Sequence, residues 1–299
     1  MLVRNGETPD ISVIIPVYNE VEIIERQLAK IGDELRVEPE SFEVIVVNDG
    51  SSDGSFEGVD LRDGFELVHH PVNLGNGAAV KSGIRKASAP LCVIMDGDGQ
   101  HLVSDALAVV RALDQYDLVV GARNFSNSGE QHRNLANVIY SRLASYVAEY
   151  KILDLTSGLR AFKRNRVLEV IHLFPNRFSS PTTMTLGLLR LGYPVKFHPI
   201  SVQTRTGTSK IKIFKDGFRF LMIILKISTL FSPMKIFLPV SGAMFATGAL
   251  TYLYFLILEQ RFSLWSVVLL TNAITIFMIG LVAEEISQLK LKSPTDGPQ

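Results

Sequence analysis

Apolar and polar positions alternate between two periods along most of this chain, and then the polar partners disappear. Short β-branched runs at Ile11–Ile15 and Phe42–Val47 flank a stretch where Ile23, Ile24, Leu28, Ile31 and Leu35 recur at helical spacing. This pattern predicts a βαβ unit with Asn19 as the helix N-cap. Phe65–Val68, a helix over Asn76–Ala87, the strand Leu91–Met95, a helix opening at Ser104 and Asp105, and the strand Leu118–Val120 continue the alternation. Strands that alternate with helices in this way predict an α/β domain with a mostly parallel sheet. Helices over Arg133–Glu149 and Thr182–Leu191 and extended segments around Val195–Thr204 follow, with no internal repeat.

The last third reads differently. Phe237–Leu258 and Leu264–Ala283 contain no Lys, Arg, Asp or Glu. At about 1.5 Å rise per residue each run reaches roughly 30 Å, the thickness of a bilayer's hydrocarbon core. Two transmembrane helices are predicted, since buried core helices of that length normally keep a polar face. Phe214–Phe231 mixes Lys215, Arg219 and Lys226 with large apolar residues, which predicts an interfacial helix. The expected organisation is a catalytic domain at 1–210, interfacial amphipathic helices at 211–234, a two-helix hairpin at 235–285 and a tail at 286–299. Lys210, Lys212, Lys215, Arg219, Lys226 and Lys235 precede the first span and Lys290 and Lys292 follow the second, whereas the connection Glu259–Ser263 holds only Arg261. Cationic flanks stay inside, so both termini and the catalytic domain are expected in the cytoplasm, on a two-span protein of the cell membrane. The spacing Gly242-x-x-x-Ala246 suits close helix packing within a chain or in a homo-oligomer.

Composition adds exclusions. With 30 basic and 30 acidic side chains in 299 residues there is no global field to attract nucleic acid. Met1–Asp10 is polar, so no signal peptide is expected, and the single Cys92 within an apolar strand reads as a core thiol.

The candidate chemistry gathers at strand ends. Pro16-Val17-Tyr18-Asn19-Glu20 follows the first strand, Asn48–Gly54 the second, Asn73-Leu74-Gly75-Asn76-Gly77 the third, and Asp96-Gly97-Asp98-Gly99-Gln100-His101 the fourth. Paired carboxylates at the C-terminal lip of an α/β sheet suit a hard divalent ion with a diphosphate, and glycines let backbone approach a phosphate. Each loop alone fits an ordinary turn equally well. The set of four in this order points to a nucleotide crevice.

These segments, together with Gly75–Gly83, Gly121-Ala122-Arg123, Asp154–Phe162 and Arg205–Lys210, resemble family-two glycosyltransferases of the GT-A fold, in the branch of dolichol-phosphate mannose synthases and polyprenyl-phosphate glycosyltransferases. The resemblance implies a donor site from Pro16, Tyr18, Glu20, Asp49, Gly75, Lys81, Asp96, Asp98, Arg205 and Lys210, with Asp49 on the nucleobase. It implies Mg²⁺ or Mn²⁺ on Asp96, Asp98 and Gln100, and an acceptor phosphate held by Arg123, Arg133, Ser141, Ser157 and Arg160. Asp98, Arg123, Arg133 and Asp154 become the catalytic candidates, although Asp154 also suits a helix cap and the arginines suit a solvated surface. Gly97 departs from the alanine more usual between the aspartates, and Leu159 from a common aromatic.

The implied reaction moves sugar from a nucleoside diphosphate, GDP-mannose or a UDP-sugar, to a polyprenyl monophosphate with inversion. A phosphate dianion needs little general-base help, so positioning and charge neutralisation would dominate. Three rivals are the same fold acting on another membrane lipid or glycan, a phosphatase that uses its own Asp-x-Asp, and a nonenzymatic nucleotide-sugar binder. A processive synthase is disfavoured because the only tryptophan, Trp265, lies in the second span rather than in a Gln-x-x-Arg-Trp motif.

Overall fold

The computed structural model describes Leu2 and residues 8–56, 63–97, 99, 101–123, 141–142, 144–177, 180–200, 229 and 231–291. They fall into two compact units, Met1–Ser145 with Tyr150–Ser209, and Tyr146–Glu149 with Lys210–Gln299.

The first unit is a seven-stranded mixed sheet. Its elements in chain order are β1 (Ile11–Val17), α1 (Ile24–Arg36), β2 (Phe42–Asn48), β3 (Phe65–His69), α2 (Asn76–Lys86), β4 (Leu91–Ile94), α3 (Val103–Arg111), β5 (Leu118–Arg123), β6 (Arg160–Lys163), α4 (Arg164–Val170), α5 (Ser180–Arg190) and β7 (Val195–Ile200). The strand order is β3-β2-β1-β4-β6-β5-β7. All neighbours pair in parallel except β6, which runs antiparallel to both β4 and β5. This strand overlaps the end of the Asp154–Phe162 segment that reads as motif rather than strand, because four residues, two of them cationic, carry no period.

Side chains alternate across the pleat, so Ile11, Val13, Ile15 and Val17 of β1 join one core while Ile14 joins the other. Leu28, Ile31 and Leu35 of α1 and Ala106, Val109 and Val110 of α3 cover the first face. Ala79, Val80 and Ile84 of α2, Val167 and Val170 of α4, and Met184 and Leu188 of α5 cover the second. A parallel sheet covered on both faces demands nearly continuous apolar strands, which is why β1, β2 and β4 were legible as runs. Gly83 is required by this packing, since a Cβ there would stand 2.3 Å from Ile14 Cγ2.

Asn19 does not cap α1, contrary to the sequence expectation. The helix starts four residues later than that role needs, with Ile23 at the N-cap and no side-chain bond. Asn19 instead adopts a left-handed φ of 56°. Its Oδ1 accepts from Ser52 N at 2.9 Å, and its own N–H donates to Ser51 Oγ at 3.0 Å. The residue thus stitches the loop after β1 to the loop after β2.

The second unit contains helices α6 (Met234–Leu258) and α7 (Leu264–Leu291). Both are long and apolar enough to cross a membrane. Large side chains such as Ile257 and Trp265 point outward, at 68% and 79% exposure, as a lipid solvent would favour. The two helices meet at glycines. A Cβ at Gly248 would lie 3.1 Å from Leu269 Cβ, and one at Gly280 would lie 2.6 Å from Phe237 Cβ. Gly242, the sequence candidate for close packing, has nothing within 4 Å of such a Cβ, so it makes no close helix contact within this hairpin. Of the expected interfacial region 211–234, residues 211–228 and 230 lie outside the described residues, and of the expected tail 286–299, residues 286–291 continue α7 while 292–299 lie outside.

Candidate active site

Parallel strands β1, β2 and β4 end at one edge, and the loops that follow them are tied together by hydrogen bonds. Glu20 N donates to Ser55 Oγ at 3.0 Å and Val21 N to Asp53 Oδ2 at 3.0 Å. Ser51 N donates to Asn48 Oδ1 at 2.9 Å. These bonds hold open a groove of about 510 Å³ lined by Pro16, Tyr18, Glu20, Asp49, Asn73, Gly75, Asn76, Asp96 and Arg177. Tyr18, at 45% exposure, presents an open aromatic face beside Glu20.

Asp49 forms the groove's base and is only 3% exposed. Its Oδ1 receives Leu74 N at 3.0 Å and faces His70 Nδ1 at 2.7 Å, while its Oδ2 receives Gly75 N at 2.8 Å. The carboxylate therefore shapes the loop that opens α2. Gly75 has φ 104°, outside the range that side-chain residues readily adopt. A Cβ on Gly75 would also collide with Asn176 O at 2.6 Å and Arg177 Cγ at 2.7 Å. Bare backbone at Gly75 and Gly77 thus admits the 175–177 segment, which brings Arg177 to the groove.

A second, smaller cavity of about 180 Å³ adjoins the groove and shares Asn76, Asp96 and Arg177 with it. Thr156, Gly158, Arg160, Ser180, Thr182 and Met184 complete much of its wall. Asp96 stands at the junction. Its carboxylate rests on Gly158, where a Cβ would sit 2.0 Å from Oδ2. His101 Nε2 lies 3.6 Å from the same oxygen. At Gly97 a Cβ would come within 3.0 Å of Val17 Cγ2 and 3.2 Å of Pro16 O, a tight fit. An oxygen ligand open to both cavities fits a hard divalent ion, although among the described residues no three His, Cys, Asp or Glu side chains cluster as a metal site. The other two expected ligands, Asp98 and Gln100, lie outside the described residues, as do Arg133, Arg205 and Lys210.

The expected phosphate-binding set is partly redistributed. Arg123 is engaged by Asp154, with Nε to Oδ2 at 2.7 Å and Nη2 to Oδ1 at 3.1 Å, and Nη2 also donates to Thr156 Oγ1 at 2.7 Å. Asp154 is 1% exposed. Burial opposes its charge, but the Arg123 hydrogen bond and positive charge, with the Thr156 and Arg123 backbone N–H groups, outweigh that and hold the carboxyl below its usual range. Arg123, with 23% of its side chain exposed, pairs with the buried Asp154 rather than lining either cavity. Arg160 is 1% exposed and borders the small cavity. It donates to Ser157 O, Pro181 O and Thr185 Oγ1, so it ties β6 to the start of α5. Burial pulls its guanidinium down to about 10 against the opposing influence of Asp154 and Asp96.

Lys81, expected at the donor, instead donates to Phe174 O and Asn176 Oδ1 and secures the 174–176 segment. Ser141 is buried with its hydroxyl toward Leu153 O at 3.5 Å, and Ser157 is fully buried, so neither lines a cavity. Of the expected residues, the structure brings Pro16, Tyr18, Glu20, Asp49, Gly75, Asp96 and Arg160 to the two cavities. Sequence reasoning missed Asn76, Arg177 and Thr182. Asn76 lay inside a motif read for its glycines, while Arg177 and Thr182 follow no strand, and Arg177 reaches the edge only through the α2 contact.

Comparison with known proteins gives two matches that together cover most of the chain. A model of glycosyl transferase family 2 matches residues 12–170, and a model of the GtrB C-terminal hairpin matches residues 232–289. The undecaprenyl-phosphate mannosyltransferase of Micrococcus luteus is 27% identical over 66% of this chain and 86% of its own length. The dolichyl-phosphate hexose transferase of Haloferax volcanii is 28% identical over 70% of this chain and 89% of its own. Among solved structures, glucosyl-3-phosphoglycerate synthase from Mycobacterium tuberculosis, in complex with Mn²⁺, uridine diphosphate and glucosyl-3-phosphoglycerate, superposes with a TM-score of 0.56 at 18% identity. That match covers 77% of this chain and 86% of the synthase.

Proposed function

The chain belongs to glycosyl transferase family 2, and from that premise we propose that it transfers a sugar from a nucleoside diphosphate to a polyprenyl monophosphate at the cytoplasmic membrane face, with inversion. The observation that carries the acceptor class is chemical. Among the described residues lining the small cavity, the one carboxylate is Asp96, which in this reading is committed to the metal, and the remaining polar groups are hydroxyls, an amide and two guanidiniums. A sugar hydroxyl would need a base at that position, whereas a phosphate monoester arrives already anionic. The polyprenyl-phosphate relatives and the apolar hairpin support the same acceptor.

In this reading the nucleoside lies along Tyr18, Glu20 and Asp49, and the diphosphate reaches Asn76, Asp96 and Arg177. A phosphate oxygen of the acceptor forms a bond to the anomeric carbon as that carbon's bond to the diphosphate oxygen breaks. The electron pair leaves with the nucleoside diphosphate, and one displacement inverts the configuration. A bound Mg²⁺ or Mn²⁺ would supply charge neutralisation to the leaving diphosphate, with Asp96, Asp98 and Gln100 proposed to hold it. Arg177 lies where it can take up the charge that builds on the leaving group, and Arg160 braces the opposite wall. Arg133, Arg205 and Lys210 remain proposed phosphate contacts.

Turnover of a panel of nucleotide sugars with a short-chain polyprenyl phosphate, scored by the mass of the lipid product, tests the proposal. One sugar should transfer with retention of the lipid phosphate, and chelation should abolish the reaction. Transfer to a glycan or glycerolipid in preference to every polyprenyl phosphate would refute the acceptor class.

Orientation has its own test. A cysteine at Gln260, exposed between the two spans, should react with an impermeant thiol reagent in intact cells, and one at Ser293 should not. Background is low, because Cys92 is buried and burial pushes its thiol up to about 12. The reverse labelling would place the nucleotide site outside the cell.

A further inference from the structure

His70 and Ser82 lie behind the groove, in neither cavity, yet they complete a buried chain of hydrogen bonds to the groove's base. His70 follows β3 and is 7% exposed. Its backbone N–H donates to Asn48 O at 2.9 Å, which fixes the ring next to β2. Nδ1 faces Asp49 Oδ1 at 2.7 Å and Nε2 faces Ser82 Oγ, on α2, at 2.8 Å. A carboxylate can only accept, so Nδ1 carries the proton, and in the neutral ring Nε2 accepts the Ser82 hydroxyl proton; the tautomer follows from the partners.

We propose that His70 and Ser82 are positioning residues that lock Asp49 as an acceptor-only reader of the donor's base. The groove then takes bases that present a ring N–H, as uracil, thymine and guanine do, and rejects cytosine and adenine, which present a bare ring nitrogen there. This rests on the groove being the nucleoside diphosphate site. Three N–H donors, from His70, Leu74 and Gly75, converge on one carboxylate that has room for about four. Oδ1 is filled, and Oδ2, which receives Gly75 N alone, keeps the remaining lone pair for a ligand at the groove floor. The Leu74 and Gly75 donors belong to a loop, whereas His70 is anchored to β2 and α2 at once. Removing the imidazole would leave Asp49 held by the loop only, free to turn about its side-chain bonds. A carboxylate held rigidly in a buried site rejects a base that offers it a lone pair, because both acceptors would be left without a proton.

The test uses the full-length protein in detergent or lipid, with metal, and measures Kd for UDP, GDP, CDP and ADP together with kcat, donor KM and thermal unfolding. His70→Leu removes both bonds. His70→Asn keeps an N–H near the Nδ1 position and loses the Ser82 partner. Ser82→Ala leaves the imidazole, and Asp49→Asn converts the acceptor into a group that also donates. Wild type should prefer UDP or GDP over CDP and ADP by on the order of a hundredfold. His70→Leu should raise donor KM about tenfold with kcat within about twofold and should narrow that preference, and His70→Asn should recover most of it. Wild-type base preference in His70→Leu, with preference lost in Asp49→Asn, would overturn the positioning role while leaving Asp49 as the reader. Unchanged preference in Asp49→Asn would instead remove Asp49 from the base. A fall in kcat and unfolding temperature in His70→Leu with base preference intact would make His70 structural and would also overturn the proposal.

Discussion

Asp154→Asn should lower the unfolding free energy by about 1.5–3 kcal/mol, the worth of charge-assisted hydrogen bonds to a buried carboxylate whose arginine partner is half-buried. Asp154 is 1% exposed and accepts from Arg123 through Nε, Nη2 and the backbone N–H, and from Thr156 through its N–H and hydroxyl. Asparagine keeps the shape but presents an NH₂ to donors and removes the charge that lies between Arg123 and the buried Arg160. Denaturant unfolding in detergent, in a cycle with Arg123→Ala, provides the measurement. The double variant should be less damaged than the sum of the singles, because the first substitution already breaks the pair. The same pair sets an acid limb. Asp154's folded carboxyl lies below the ordinary 3.8, so it contributes stability that is present above that value and lost as pH falls through the folded one. Wild type should lose stability below about pH 4 that Asp154→Asn never had. A loss under about 1 kcal/mol for Asp154→Asn would show the pair to be solvated in solution.

Gly158→Ala should abolish most of the transfer activity while leaving the fold intact. Its new methyl would occupy the place of Asp96 Oδ2, at 2.0 Å, and the carboxylate would have to swing off its seat. Misplacing a reacting or ligating group by about 1 Å commonly costs on the order of a hundredfold in rate. The expected signature is a fall in kcat/KM of that size, with a higher metal concentration needed for half-maximal rate and an unfolding temperature near that of wild type. Wild-type activity in Gly158→Ala would mean that Asp96 does not work from its seat on Gly158.

Such contacts explain how much could be read in advance. β1, β2 and β4 announced themselves because both faces of the sheet are covered, so nearly every position is apolar. The groove residues Tyr18, Glu20, Asp49 and Asp96 were legible because a parallel sheet places consecutive strand ends side by side. Arg177 was not, since its place depends on α2 meeting the 175–177 segment across two glycines, and Thr182 was not, since it sits in the first turn of α5 and follows no strand. The engagement of Arg123 by Asp154 was hidden for a related reason. Nothing in the spacing between residues 123 and 154 says that their side chains meet, and a guanidinium that suits phosphate suits a carboxylate equally well. Lys81 was assigned by its neighbours in a motif, yet its long side chain reaches a backbone carbonyl in the next layer.

The antiparallel strand β6 imposes an order on synthesis. Within the sheet, β5 and β7 join the nucleotide half only through these four residues, because β4 pairs with β6 and β6 with β5. Until Lys163 has emerged from the ribosome, the growing chain holds a β4 edge and a β5 edge that cannot pair with each other in the native arrangement. Exposed apolar edges recruit foreign strands, and closing them over such a sequence separation is slow. Truncations ending between β5 and β6 should therefore aggregate even though they contain β1, β2 and β4 with the loops that line most of the groove, and the hairpin sequence that follows is synthesised only after β6.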